Sequence, residues 1–244
     1  MSTEKIYQAV LKAASGFHSN GPIKTHLDIG SGSGELIRLL NEKLGVKSSA
    51  CDYTEELMKV PGQTVDVVNL NHGGLPYPDG SFDFVTATEI IEHLEDYRRI
   101  LGEIHRVLRK GGACVLSTPN TLSINSRLRY LWFGFPDLFG PLQIGDRSLH
   151  STAGHVSPVP FFYLAHALME RGFSSVSLAF DRYQRSGIAK LLFFFLPVKI
   201  LGGLGYRREV SRYGTIDREN SALVKRMNSL GMLAGRTIIV SAVK

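Results

Sequence analysis

The stretch "TEIIEHL", residues 88–94, holds two carboxylates and an imidazole within five positions: Glu89, Glu92 and His93. On a helix the offsets i, i+3 and i+4 would place all three on one face. Three uses compete for such a set. A solvated helix start would employ Glu89 and Glu92 electrostatically at its N-terminus, with His93 packing locally. An acid–base site would make His93 the general base and let a carboxylate such as Glu92 hold its tautomer. A divalent metal site would take all three as ligands and recruit more from elsewhere.

Such side chains need a scaffold, and the surrounding pattern supplies one. From residue 25 onward short apolar runs alternate with helical patterns, the mark of βαβ units and a parallel sheet. "THLDIG", "SSACDY", "TVDVVNL", "SFDFVTA" and "ACVLSTP" read as five strands. Helices are expected at "ELIRLLNEKLG", around "EELMKV", and at "RRILGEIHRVLRK", the last stopped by Gly111 and Gly112. After "STPN" the rhythm breaks into a segment rich in aromatics, Gly and Pro, residues 121–160. The helix "PFFYLAHALMERGF", a sixth strand "SSVSLAF", a long insertion over residues 181–234 and a last strand "RTIIVSAVK" follow.

"LDIGSGSGE" sets Gly30, Gly32 and Gly34 between a strand and a helix. Glycine allows a sharp turn and a close approach of ligand, while the helix N-terminus offers unpaired N–H groups. The dinucleotide fingerprint would need a third glycine at position 35, which is Glu35, so the spacing is G-x-G-x-G with Asp28 two residues ahead. Asp52 ends the second strand, where a carboxylate can accept both ribose hydroxyl protons.

"HLDIGSGSGE", "CDYTEELM", "LPYPDGSFDFVTATEIIEHL" and "EIHRVLRKGGACVLSTPN", taken together over residues 25–120, resemble the class I S-adenosylmethionine-dependent methyltransferases. The resemblance implies an α/β, Rossmann-like seven-stranded sheet with a final antiparallel strand, in a single methyltransferase domain over residues 1–244. Residues 25–120 would be the cofactor-binding core, and the insertions 121–160 and 181–234, after strands five and six, would cap the binding edge. It implies S-adenosylmethionine as cofactor, held by Asp28, Gly30, Ser31, Gly32 and Gly34 at its methionine end. Asp52 would take the ribose, the segment with Leu70 and Asn71 the adenine, and Tyr53 and Thr88 would also bind the cofactor. Many relatives carry Asp where this chain has Asn71; an amide carbonyl accepts the same adenine N–H.

E-x-x-E-H followed by His155, in "STAGHVSPVP", is similar to two metal-dependent branches of that family: ubiquinone-pathway O-methyltransferases and the enzymes that methylate the 2′-oxygen at small-RNA 3′ ends. Carried over by position, Glu89, Glu92, His93 and His155 would hold a divalent metal (Mg, Mn, Fe or Zn), with Glu92, His93 and His155 catalytic. A metal on two neighbouring hydroxyls lowers their pKa and aligns one oxygen with the methyl group. His150 is an alternative to His155, and His166, inside an apolar helix, reads as a packing residue.

The leading expectation is therefore O-methylation of a vicinal diol in a small molecule, glycan or lipid-linked intermediate. RNA 3′-end 2′-O-methylation and a non-catalytic cofactor-binding partner subunit are the alternatives. Against nucleic acid, the chain of 244 residues carries only +6 net charge and shows no dense basic stripe. Arg127 and Arg129 interleave with Tyr130, Trp132 and Phe133, more in the manner of a hydrophobic lid with snorkelling arginines than of a phosphate-contact surface. The two cysteines, Cys51 and Cys114, lie in apolar strands and read as free thiols of a cytoplasmic protein, and the N-terminus has no uninterrupted apolar core of a secretory signal. The apolar run at residues 191–204, broken by Pro197 and Lys199, is too short at ~1.5 Å per residue to cross a bilayer core of ~30 Å. Core packing or a dimer contact is the preferred use of it. Peripheral membrane contact through 190–212 is the alternative.

Overall fold

The computed structural model describes residues 4–142, 144 and 154–244; His150 lies outside them. In chain order the elements are α1 (Glu4–Asn20), β1 (Thr25–Ile29), α2 (Glu35–Leu44), β2 (Lys47–Asp52), β3 (Val65–Val67) and β4 (Phe82–Thr88). A 3-10 turn (Ile91–His93), α3 (Tyr97–Val107), β5 (Leu108–Pro119), α4 (Ile124–Phe133), α5 (Phe161–Glu170) and β6 (Ser174–Phe180) come next. Then α6 (Arg185–Arg208), α7 (Ser221–Arg226), α8 (Leu230–Ala234) and β7 (Thr237–Val243) complete the chain.

The seven strands form one sheet in the order β3-β2-β1-β4-β5-β7-β6. Strands β1 to β5 pair in parallel, and β7 runs antiparallel to both of its neighbours. The seven-stranded, Rossmann-like sheet with its antiparallel last strand is thus present. Helices cover both faces: Ile100, Leu101, Ile104, Leu164 and Leu168 of α3 and α5 belong to one buried cluster, and Ile6, Val10, Leu36 and Leu40 of α1 and α2 to the other. Chain order reverses between β1 and β4, so the loops leaving these two strands open a crevice at the carboxyl edge of the sheet.

Several local expectations are corrected. "TEIIEHL" is not an α-helix, because Glu89 takes a left-handed φ of 56° and a 3-10 turn follows. "EELMKV" forms turns and bends; Met58 and Val60 fold back so that a Cβ at Gly34 would meet them at 2.6 and 2.7 Å. "RRILGEIHRVLRK" stops being helical at Val107, and β5 begins at once at Leu108. The apolar run at 191–204 lies inside a continuous helix of 24 residues that passes through Pro197.

Candidate functional site

The glycine turn departs from β1 with positive φ at Gly30, Gly32 and Gly34 (71°, 50° and 76°). A side chain at Gly30 would run into Ile90, whereas a Cβ at Gly32 would enter open space. The turn is pinned by Gly30 N–H donating to the Cys51 carbonyl at 2.8 Å and by Gly32 N–H donating to Asp52 Oδ2 at 2.7 Å. Asp52 Oδ1 accepts from its neighbour's amide, Tyr53 N–H, at 2.7 Å. One buried carboxylate at the end of β2 therefore faces the turn from the adjacent strand.

Beneath the turn lies a buried polar chain. Thr86 Oγ1 donates to Asp28 Oδ1 at 2.6 Å, His26 Nε2 lies 2.8 Å from Thr86 Oγ1, and His26 Nδ1 lies 2.9 Å from Ser48 Oγ. With the Thr86 proton committed to Asp28, Thr86 accepts from His26 Nε2–H, and His26 Nδ1 accepts from Ser48. Burial lowers the His26 pKa to about 3, so the ring is neutral. Burial raises Asp28 to about 7, opposed by the Thr86 hydrogen bond and reinforced by Asp52. Sequence reading singled out Asp28 but missed His26 and Thr86. The signal was a histidine and a threonine in otherwise apolar strands.

After β4 the left-handed residue Glu89 turns the chain. Its N–H donates to the Ser117 carbonyl and hydroxyl, and the Ser117 hydroxyl donates back to Glu89 Oε1 at 3.0 Å. Desolvation raises Glu89 to about 7. The 3-10 turn then carries Glu92 inward, where it has 0% exposed surface. The Glu92 carbonyl accepts from Val156 N–H at 2.8 Å and Ser157 N–H at 2.9 Å, which fastens the segment bearing His155 onto this turn. The result is a compact donor set: ligand atoms of Glu92, His93 and His155 lie within 4.8 Å of one another. Glu89 does not join that set; its carboxylate is engaged by Ser117.

Both Glu92 carboxylate oxygens lack a hydrogen-bond partner, as does His155 Nδ1. Burial, then the charge of Glu89, pushes the Glu92 pKa well above the ordinary range. Burial, then His93, lowers the pKa of His155, whose ring packs edge-on against His93 at 4.9 Å and Phe139 at 5.1 Å. The other buried unpartnered side-chain atoms among the described residues belong to Ser31, Thr88, Thr118, Thr121 and Asp181. Each of those residues lies at or just beyond the end of β1, β4, β5 or β6, on the same edge of the sheet. Native interiors rarely tolerate such atoms, so their gathering at one edge marks a polar ligand site.

Asn71 is placed differently from its expected role: its side-chain carbonyl accepts from Glu95 N–H at 3.1 Å, bracing the loop after β3 against the 3-10 turn. Arg127 and Arg129 are likewise committed. Arg127 donates to Leu122 O, Asn228 Oδ1 and Met227 O, and Arg129 to the carbonyls of Phe135, Pro136 and Phe139. Neither guanidinium is offered to a phosphate. His166 is half in solvent and pairs with Glu170 at 3.3 Å, rather than packing in the core.

Residues 27–116 match the family profile described as a methyltransferase domain. A demethylmenaquinone methyltransferase of Listeria monocytogenes is 34% identical over 174 residues, 62% of this chain and 70% of that protein. The chain belongs to the class I S-adenosylmethionine-dependent methyltransferases. A second methyltransferase of the same printed name, from Geobacillus stearothermophilus, is 35% identical over 132 residues, 49% of this chain and 56% of its own length. The chain thus spans little more than half of that relative. Among solved structures, a SAM-dependent methyltransferase of Archaeoglobus fulgidus shares the fold with a TM-score of 0.61 at 18% identity, covering 100% of this chain and 95% of that one. Among its described residues this chain concentrates its buried, unbonded polar atoms at the carboxyl edge of the sheet.

Proposed function

We propose that this methyltransferase domain transfers a methyl group from S-adenosylmethionine to a hydroxyl of a vicinal diol or catechol-like ring, assisted by a divalent metal. The residues fit both groups. Toward the cofactor, Asp52 offers a buried carboxylate for the ribose, Gly32 leaves open space beside it, and Ser31 and Thr88 hold buried hydroxyls without partners. Toward a metal, Glu92, His93 and His155 supply one carboxylate and two imidazoles within reach of one another.

The bound cofactor supplies an electrophilic methyl group. A metal held by Glu92, His93 and His155 would supply acidity to a hydroxyl bound beside it. The rest falls to the protein's own side chains. As a metal ligand His155 orients the site and the acceptor's proton is lost to solvent; with no metal bound, its neutral imidazole can instead receive that proton through Nδ1. Phe139 packs against one side of its ring, and Nδ1 is shielded from solvent. The left-handed turn at Glu89, braced by Ser117, fixes where Glu92 stands relative to the end of β4.

The observation that carries this reading is Glu92, a fully buried carboxyl group whose oxygens make no well-formed hydrogen bond, with only the Thr118 hydroxyl and its own amide close by. Leaving such a group unpaired costs several kcal/mol, on the order of a fraction of the whole stability of a domain, and that cost is met when a ligand arrives. The test is turnover of catechol and sugar-diol acceptors with and without chelator. Loss of activity on chelation and its return with Mg²⁺ or Mn²⁺ supports the proposal; full activity in chelator contradicts it.

A second reading is favoured by the relatives' printed name: methylation at carbon of a demethylated quinone ring. Carbon-13 labelling of the methyl separates the two, since an O-methyl and a ring C-methyl resonate far apart. RNA methylation has less support, with Arg127 and Arg129 both held by backbone carbonyls. A non-catalytic partner role would require that no acceptor is ever turned over.

A further inference from the structure

Helix α6 exposes what helices normally hide. Its inward face packs Leu191, Phe195 and Val198 onto Ile124 and Leu128 of α4 and Leu233 of α8. The opposite face presents Leu192, Phe193, Leu196, Ile200 and Leu204 to solvent, at 83, 78, 67, 57 and 56% of their full exposure. Helix α4 starts beside the start of α6, with Asn125 bonded to Gln184, Ser186 and Lys190. Near its far end it exposes Tyr130, Leu131 and Trp132. Two neighbouring helices thus each turn a run of large apolar side chains to solvent, the kind of surface that marks a protein or membrane contact.

Charge says what covers it. Residues 185–213 hold six basic residues and one acidic residue, so this segment carries nearly all of the chain's +6. Lys199, Arg207, Arg208 and Arg212 are exposed. Leucine and phenylalanine flanked by arginine, with Trp and Tyr alongside, is the composition of a helix lying in the interface of an anionic bilayer.

The same segment is long and apolar enough to cross a membrane, but the fold forbids it. After the π-turn that extends α6 to Tyr213, only residues 214–220 precede α7, whose Leu223 packs on the main core. Seven residues reach at most about 25 Å, less than a bilayer core of ~30 Å, so the chain could not return to its sheet.

We propose that α4 and α6 form a membrane-docking surface that lies on an anionic lipid bilayer. Phe139, whose carbonyl is held by Arg129 of α4, touches His155, which connects α4 to the metal-donor set. An acceptor dissolved in the membrane would reach the site from this side; that clause alone rests on the methyl-transfer reading.

The test is sedimentation of the full chain, without cofactor, with vesicles of phosphatidylcholine alone or containing about one-third phosphatidylglycerol. Binding to the anionic vesicles only, lost in about 0.5 M salt, is expected. Leu196→Glu combined with Ile200→Glu should reduce binding at least tenfold, with an unchanged circular dichroism spectrum. Arg207→Glu with Arg208→Glu, which leaves the apolar face intact, should reduce it by a similar factor. Two results would overturn the proposal. One is no binding to either vesicle. The other is a dimer in velocity sedimentation that Leu196→Glu with Ile200→Glu converts to monomer, which would make a second copy the occupant. Binding of S-adenosylhomocysteine, measured separately, tells a failed membrane surface from a failed methyltransferase site.

Discussion

The glycine-turn edge and the outer face of α6 violate opposite rules of protein interiors. At the first, one carboxyl group and three hydroxyls are buried without a well-formed hydrogen bond, those of Glu92, Ser31, Thr88 and Thr118, together with Nδ1 of the half-buried His155. At the second, Leu192, Phe193 and Leu196 are turned to solvent. The fully buried Ile100, Leu101 and Ile104 of α3 and the satisfied His26–Thr86–Asp28 chain obey both rules. Each exception indicates the kind of matter that completes it: a polar ligand in one case, an apolar phase in the other.

The contrast is most sharply broken at Glu92. Glu92→Gln should lower turnover by at least about 100-fold while leaving stability within about 1 kcal/mol in urea titrations, because burial already favours the neutral carboxyl that the amide copies. A structural Glu92 would instead show reduced stability. Next, the two faces of α6 should respond differently. Leu191→Ala, on the packed face, should cost about 2–4 kcal/mol, whereas Leu196→Ala should stay within about 0.5 kcal/mol in the same assay.

Asp52→Ala should weaken S-adenosylhomocysteine binding by roughly 10–100-fold, the range for charged hydrogen bonds worth about 1.5–3 kcal/mol. Isothermal calorimetry reads this directly, and unchanged affinity would remove Asp52 from the cofactor site.

A pH-dependent effect belongs to the buried chain under the turn. Asp28, held up at about 7, adds stability below the unfolded value of 3.8 and loses it as pH rises towards 7. His26, held down at about 3, adds stability above its unfolded value of 6.5 and loses it as pH falls towards 3. Between about pH 4 and 6.5 the two slopes oppose each other. Asp28→Asn removes one of them, so the variant should gain on the parent by about 1.4 kcal/mol per pH unit on raising the pH through that window. Parallel stability profiles for the two proteins would show that Asp28 is ionised in the native state.

Much of the polar edge was legible because its parts are local in sequence. Gly30, Gly32 and Gly34 advertise a turn between a strand and a helix, and Asp52 closes the next strand. His155 was found only through resemblance. Its tether, two amides on the Glu92 carbonyl, spans more than sixty residues and leaves no local trace. Periodicity misread "TEIIEHL" because one left-handed residue, Glu89, changes the face on which everything after it falls. It also undervalued α6, since a proline and a lysine seemed to divide a helix that tertiary contacts with α4 and α8 keep whole. The concentration of positive charge on residues 185–213 was available in the sequence and is the better signal.

The most direct test is titration of Mn²⁺ into the protein saturated with S-adenosylhomocysteine, followed by calorimetry, beside the same titration of His155→Ala. Saturable binding near one ion per chain, abolished by the substitution, is the predicted result. No heat in the parent, or equal binding in both proteins, would contradict a metal centre built from Glu92, His93 and His155.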